Sequence, residues 1–262
     1  MSQRLPVFAG AILLGVGLAF FGGMPFKLFV AAAWIGLILE TSVAASRSLD
    51  LPPRKYLGID LLFFGSCPLA FGFGSAIGRG PAVMAILIFV WGFILFLLFP
   101  TSRAGLHRWL FSSVVQPYLL IGVFSFFLLR DVGRPWPMLA LGVVIAADTG
   151  AYLIGRKFGR RLLAPAISPA KTVEGAAAGV LLATVVVVLF MTREGIQPVV
   201  AVGAGACLSI LAVLGDLFES FLKRGLDIKD FGSSLPGHGG LFDRLDSLLA
   251  VSMGLLLFLR LS

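Results

Sequence analysis

Six carboxylates, four Lys or Arg and one His fall within the 31 residues from Asp216 to Asp246, in a 262-residue chain with 13 carboxylates, 21 Lys or Arg and two His. Asp216, Glu219, Ser220 and Lys223 stand at i, i+3, i+4 and i+7. A helix through them presents two carboxylates, a hydroxyl and an ammonium on one face. At the other end of the stretch Asp243 and Asp246 stand at i and i+3, with Arg244 between them pointing elsewhere. Hard divalent cations such as Mg²⁺ prefer carboxylate oxygens and keep waters and substrate phosphates in their remaining positions. Asp216, Asp243 and Asp246 are therefore candidate metal ligands, and Lys223, Arg224, Lys229 and His238 are candidate partners for phosphate. His238 reads as a hydrogen-bond donor to phosphate, because no second His or Cys lies nearby and the surrounding acids suit a hard ion. The run from Ser233 to Gly240 is glycine-rich but lacks a P-loop's Gly-Lys-Ser/Thr ending. It can line an anion site with backbone N–H groups or simply join two helices.

A second group lies upstream. Asp148 sits inside the apolar run VVIAADTGAYLIG, where an acid is costly unless a partner or an ion meets it. The basic residues Arg156, Lys157, Arg160 and Arg161 follow, and then Ile167 to Gly175. In that segment Ser168 before Pro169 reads as a helix N-cap with Pro at the first helical position. A basic loop ending at a helix N-terminus suits a polyphosphate or a lipid phosphate, although a membrane anchor would look the same. Arg156, Lys157, Ser168, Lys171 and Glu174 are the candidate substrate contacts here, together with Asp148. Glu40 and Asp60 lie near the ends of apolar runs and read as interfacial.

The elements that position these groups follow from composition. The chain is 58% hydrophobic with mean hydropathy +1.01, which fits an all-α polytopic membrane protein. About 20 apolar residues cross a bilayer as a helix, and nine such runs are expected: Pro6 to Phe21, Phe26 to Ala45, Leu57 to Ile77, Pro81 to Phe99, Val114 to Leu129, Met138 to Ile154, Val173 to Met191, Pro198 to Leu214 and Leu248 to Leu261. The first, preceded by Arg4, lacks a small-residue cleavage pattern and reads as a retained helix. The net charge of +8 comes in short clusters between apolar runs, the pattern of the positive-inside bias and not of nucleic-acid binding. With nine spans, 15 of the 21 Lys and Arg share the amino-terminal side, which is then cytoplasmic and carries the 216–246 insert. Cys67 and Cys207 lie in apolar runs and read as small core residues. One membrane domain is expected over 1–262, with 1–135 as scaffold and 136–262 as the catalytic half.

The residues from Ser220 through Lys223-Arg224, Lys229-Asp230, Gly232, Leu235-Pro236 and His238-Gly239-Gly240 to Asp243-Arg244-Leu245-Asp246 resemble the signature of the CDP-diacylglycerol synthases, or phosphatidate cytidylyltransferases. The likeness covers 27 positions, and Asp148 to Gly159 and Ile167 to Gly175 also look like that family's segments. Residues 1 to 135 match only in being hydrophobic. The resemblance implies an all-helical membrane fold and transfer of a cytidylyl group from CTP to phosphatidic acid with Mg²⁺, with a monovalent cation such as K⁺ beside it. It maps the acidic metal positions onto Asp216, Asp243 and Asp246, and it places Ser220, Asp230 and Arg244 among the catalytic signature. A bacterial inner membrane is the expected location, and a homodimer is left open.

Two other readings use similar parts. A CDP-alcohol phosphatidyltransferase needs Asp-Gly and a nearby Ala-Arg, then two Asp four apart; here Asp148-Thr149-Gly150 has no such Arg, and Asp243 and Asp246 are three apart. A transporter or channel would use an intramembrane acid and a glycine-rich loop, but leaves the dense Lys, Arg and Asp pattern without a purpose.

Overall fold

The computed structural model describes residues 17, 20–67, 80–99, 101–232 and 239–261. Backbone polar groups in hydrocarbon must be satisfied within the segment, and the apolar runs accordingly fold as helices. In order these are α1 (Gly23–Ser48), α2 (Pro53–Phe63), α3 (Gly80–Leu98), α4 (Arg103–Val132), α5 (Pro135–Phe158), α6 (Val173–Arg193), α7 (Pro198–Gly225) and α8 (Phe242–Leu261), with strands β1 (Leu162–Ala164) and β2 (Ser168–Thr172) between α5 and α6. Five of them, α1, α4, α5, α6 and α7, are long and apolar enough to cross a membrane. The protein is thus all-α and of the integral membrane type. Most of the expected run Pro6 to Phe21, the end of the run up to Ile77, and the segment 233–238 with His238 lie outside the described residues.

The hairpin corrects one expectation. Ser168 does not cap a helix; it lies in β2 and pairs with Ala164, while Thr172 pairs with Leu162. Thr172, with extended backbone, is the N-cap of α6, and its hydroxyl accepts from the Gly175 amide at 3.2 Å. Residues 168–172 find backbone partners in β1, so the helix begins four residues later than the Ser-Pro signal suggests. Pro169 costs little there, since a two-stranded hairpin has free edges.

The chain divides into two compact units that interleave along the sequence. The first comprises Met1–Val30, Gly122–Gly225 and Asp243–Ser262. Its buried core includes Leu139, Val143, Ala147, Ala183, Val187, Leu208, Ala212, Val251 and Leu255, whereas Leu153, Leu181, Val199 and Leu257 are exposed, as lipid-facing positions are. Within this core the helices touch backbone to backbone at small residues. A Cβ on Gly179 would stand 2.5 Å from the Ala147 carbonyl oxygen, where α6 meets α5. One on Gly215 would stand 2.8 Å from the Asp246 carbonyl oxygen and 2.9 Å from Ala250 Cβ. At the same crossing Ser247 Oγ donates to the Ala212 carbonyl at 2.9 Å, joining α8 to α7.

The second unit comprises Ala31–Ile121 and Leu226–Phe242. A charged network lies at its centre. Arg108 and Asp60 are both fully buried, with Nη2 of Arg108 2.6 Å from Oδ2 of Asp60. The guanidinium also donates to Ser42 at 2.8 Å, to Ser46 at 3.1 Å and to Ser112, while Ser112 donates to the other Asp60 oxygen at 2.9 Å. The rings of Tyr56, Phe99 and Phe111 surround it at 5.5 to 5.9 Å. Asp60 is therefore an interior partner and not an interfacial acid. Arg108, which lies between apolar runs and is one of the 15 Lys and Arg expected on the cytoplasmic side, belongs to the same interior pair. Glu40 is also buried: its carboxylate accepts from the Leu241 and Phe242 amides at 2.8 and 2.9 Å.

Two outcomes follow from this packing. Asp60→Ala leaves the Arg108 charge buried without its partner and should cost about 3–5 kcal/mol, read as a lowered melting temperature of the detergent-solubilised protein; Asp60→Asn with Arg108→Met should recover part of that loss. Gly215→Val overpacks the α7–α8 crossing, for which about 1–3 kcal/mol is typical, and its melting temperature should fall while Gly203→Val, where a Cβ has open space, changes little.

Candidate active site

The site is assembled in the first unit from α5, β2, α7 and α8. The helix through Pro198–Gly225 continues past the apolar run, so Asp216, Glu219 and Lys223 do share one face as their spacing requires. Gly215, one residue before Asp216, is where α8 lies against α7, and α8 carries Asp243 and Asp246 in its first turns. The crossing thus sets acids from two helices against one another. Ligand oxygens of Asp216, Glu219 and Asp246 lie within 4.8 Å of one another.

Asp243 is placed differently. Lys223 Nζ lies 2.7 Å from Oε1 of Glu219 and 3.0 Å from Oδ1 of Asp243, so the ammonium bridges α7 and α8. Glu219, seen in the sequence as part of the stripe but not among the candidate ligands, is 2% exposed and is the third acid of the cluster. Its i+3 spacing from Asp216 was the available signal. The i+3 spacing of Asp243 and Asp246 placed them on one face of α8, but only the packing decided which of the two turned toward Asp216.

The hairpin delivers the second cation. Lys171 Nζ is 2.5 Å from Oδ2 of Asp216, an ion pair with both groups partly open to solvent. Lys171 is held there because β2 runs directly into α6 through Thr172, and because Gly155 and Gly159 at the end of α5 leave room for the Thr172 side chain, where a Cβ would come within 3.0 Å of its hydroxyl oxygen. Glu174 closes the other side of the hairpin: its Oε2 accepts from the Arg160 and Arg161 amides at 3.0 and 3.2 Å. Its carboxylate therefore shapes the loop that carries Lys171. A cleft opens over this corner, lined by Asp148, Lys171, Thr172, Gly175 and Asp216. Asp148 lies within electrostatic range of Asp216, Lys171 and Arg244.

The remaining candidates surround this centre at varying distance. Ser220 is half-buried on α7. Arg224 is exposed and its Nε donates to the Ile167 carbonyl at 3.2 Å, tying the end of α7 to the hairpin turn. Arg156 and Lys157 are exposed at the end of α5, Arg156 bonded to the Tyr152 hydroxyl at 2.9 Å and Lys157 above the Phe158 ring. Arg244 is exposed on α8, and Ser168 is half-buried in β2. Lys229 and Asp230 are exposed in the second unit.

Asp148, Asp216, Glu219, Asp243 and Asp246 bring five carboxylates together against the ammonium groups of Lys171 and Lys223. Such a concentration of carboxylates beside hydrocarbon suits a further cation. Oxygens bound to one Mg²⁺ at about 2.0–2.1 Å lie up to about 4.2 Å apart, so small side-chain adjustments let Asp216, Glu219 and Asp246 share one ion. All-oxygen donors of this kind match Mg²⁺ and not a thiophilic metal.

Comparison with known proteins identifies the family. Residues 2–262 match the profile of the cytidylyltransferase family. The chain is 32% identical to a phosphatidate cytidylyltransferase of Bacillus subtilis (strain 168) over 262 residues, covering 96% of this chain and 94% of that protein. It is also 32% identical to the enzyme of that name from Staphylococcus aureus (strain COL) over 214 residues, 76% of this chain and 81% of the other. Identity to the Helicobacter pylori (strain ATCC 700392 / 26695) protein of that name is 41% over 148 residues, 55% of each chain. With a match that runs the length of the sequence, the chain belongs to the cytidylyltransferase family.

Proposed function

We propose that the protein is a phosphatidate cytidylyltransferase: it transfers the cytidylyl group of CTP to phosphatidic acid, forming CDP-diacylglycerol and releasing pyrophosphate. The observation that carries this reading is the acid cluster at the α7–α8 crossing, flanked by two lysines, in a chain that matches the family throughout. The new bond joins a lipid phosphate oxygen to the α-phosphorus of CTP, and the α–β anhydride bond breaks. With its second pKa near about 6, the lipid phosphate is largely a dianion at neutral pH, so it attacks without a general base. The difficulty is bringing two polyanions together.

The chain's own groups answer that difficulty by charge and position. Lys171, paired with Asp216, and Lys223, paired with Glu219 and Asp243, would neutralise phosphate oxygens in the approaching pair. Asp243 orients Lys223, and Glu174 holds the hairpin that presents Lys171. Asp216, Glu219 and Asp246 would hold Mg²⁺, which when bound supplies Lewis-acid charge neutralisation of the transferring phosphates. Asp148 faces the same cleft and suits a second, monovalent cation. Exposed Leu153 and Leu181 on α5 and α6 suit contact with hydrocarbon, which supports the acyl chains of the lipid substrate lying beside the unit that carries the site.

The same reading places nine spans in a bacterial inner membrane, with the acids on the cytoplasmic side where CTP is made. Even without Arg108, 14 of the 21 Lys and Arg fall on that side, enough for the positive-inside bias to set the orientation.

Solubilised protein supplied with labelled CTP, phosphatidic acid and Mg²⁺ should yield a CDP-lipid and pyrophosphate in equal amounts; absence of both beside an active control enzyme would sink the assignment. Asp216→Asn, Glu219→Gln and Asp246→Asn should each lower turnover by about 10²-fold or more, the range for losing a preorganised electrostatic group, and raise the Mg²⁺ concentration for half activity. Asp243→Asn should act mainly on KM for a phosphate substrate. If Asp243→Asn shifts the Mg²⁺ requirement and Glu219→Gln does not, the ligand set is Asp216, Asp243 and Asp246 instead. A reporter fused after Ser262 should be accessible only from outside the inner membrane; cytoplasmic accessibility would refute the span count or the orientation.

A further inference from the structure

Glu40 lies far from the acid cluster in sequence, and the mechanism above does not use it. The residue is 7% exposed, and its carboxylate accepts two consecutive backbone amides, Leu241 N–H on Oε2 at 2.8 Å and Phe242 N–H on Oε1 at 2.9 Å. Phe242 is the first residue of α8. These amides belong to the set that a helix start leaves without intrahelical partners, and a carboxylate there also meets the positive end of the helix dipole.

The backbone around Glu40 is built to admit that carboxylate. A Cβ on Gly240 would stand 2.1 Å from Oε1, and one on Gly232 would stand 2.7 Å from Oε2. Only glycine fits at either position while Glu40 keeps its place. Leu241 closes the contact from the other side, its Cδ2 3.1 Å from where a Cβ on Gly36 would be. The Phe242 ring packs on Phe231 at 5.0 Å, and Phe231 lies near Phe111 at 6.4 Å. Glu40 itself sits on α1 directly before Thr41, whose hydroxyl donates to the Leu37 carbonyl at 2.7 Å and accepts from Gln116 at 3.1 Å.

We infer that Glu40 is a positioning residue for the active-site acids: by holding the Leu241 and Phe242 amides it sets where α8 begins and so the rotation at which Asp243 and Asp246 leave that start. Asp243 follows Phe242 directly and Asp246 follows it by four residues. A helix that starts one residue early or late shifts each side chain by about 100° and about 1.5 Å. An error of about 1 Å in a catalytic group costs about 10²-fold in rate. A carboxylate suits the task better than an amide, because both of its oxygens accept and the two partners are both donors.

The inference rests on the cytidylyltransferase reading for its kinetic arm and on the fold alone for its second arm. Full-length protein in nanodiscs is compared as wild type, Glu40→Gln, Glu40→Ala, Gly240→Ala and the double variant Glu40→Ala/Gly240→Ala. Steady-state kinetics give kcat and KM for CTP and for phosphatidic acid; amide hydrogen exchange is followed on the substrate-free protein in peptides covering 239–245. Glu40→Ala and Glu40→Gln should lower kcat by about 10²-fold with KM for CTP changed by less than about threefold, and should speed exchange at Leu241 and Phe242. Gly240→Ala should lower kcat in the wild-type background and add nothing in the Glu40→Ala background, because the clash it creates is with the missing carboxylate. Unchanged exchange in Glu40→Ala overturns the inference. So does faster exchange with kcat unaltered, or a loss that falls equally on every kinetic constant together with a general fall in melting temperature. If the wild type forms no CDP-lipid, the functional reading fails, while the exchange arm still decides whether Glu40 anchors the helix start.

Discussion

The contact between α7 and α8 at Gly215 is the constraint on which the site depends. A side chain there would have to share space with the Asp246 carbonyl and Ala250, so the two helices approach as closely as backbones allow. Asp216 lies one residue beyond the contact on α7, and Asp246 lies at it on α8. Closeness of the helices is thus converted directly into closeness of the acids. The Ser247 hydroxyl on the Ala212 carbonyl adds a directional bond where close packing alone would leave the helices free to slide. In lipid there is little hydrophobic force between helices, and small residues with a few hydrogen bonds are what association relies on.

Charge then decides what the crossing can hold. Acids at the edge of hydrocarbon are costly without compensating charge, and here several converge, with Lys171 paired to Asp216 and Lys223 to Glu219 and Asp243. On the proposed function, cations that enter the cluster would offset this charge and let phosphates approach. Stability of the empty cluster and affinity for cationic and phosphate ligands therefore pull in opposite directions, as is common where a site is built for charge it does not itself supply. The hairpin between α5 and α6 sharpens this balance by delivering Lys171 on a rigid two-stranded arm, closed by Glu174 and capped by Thr172.

The same rule of satisfaction operates in the second unit. Arg108 and Asp60 are wholly buried, yet the guanidinium is met by three serines as well as the carboxylate, and three aromatic rings cover it. Glu40 finds two amides and the Arg108 network finds hydroxyls because each unmet polar group in this environment would cost several kcal/mol. These networks join helices that are distant in sequence and give an otherwise apolar bundle a defined register.

Local periodicity made much of the protein legible. The apolar runs determined an all-helical membrane fold, because continuous runs of about 20 apolar residues cross a bilayer as helices that satisfy their own backbone; the i, i+3, i+7 spacing of Asp216, Glu219 and Lys223 determined that they share a face; the signature from Ser220 to Asp246 pointed to the family to which the chain belongs. What the sequence could not decide is which groups meet across elements. Asp60 pairs with a residue 48 positions away and Glu40 with one 201 positions away. Thr172 displaced Ser168 as the cap because a strand partner was available. Glu219 joined Asp216 and Asp246 while Asp243 turned to Lys223. Each of these depends on the distance and rotation between helices, which small residues such as Gly215 set by steric contact, and no spacing along one chain segment encodes it.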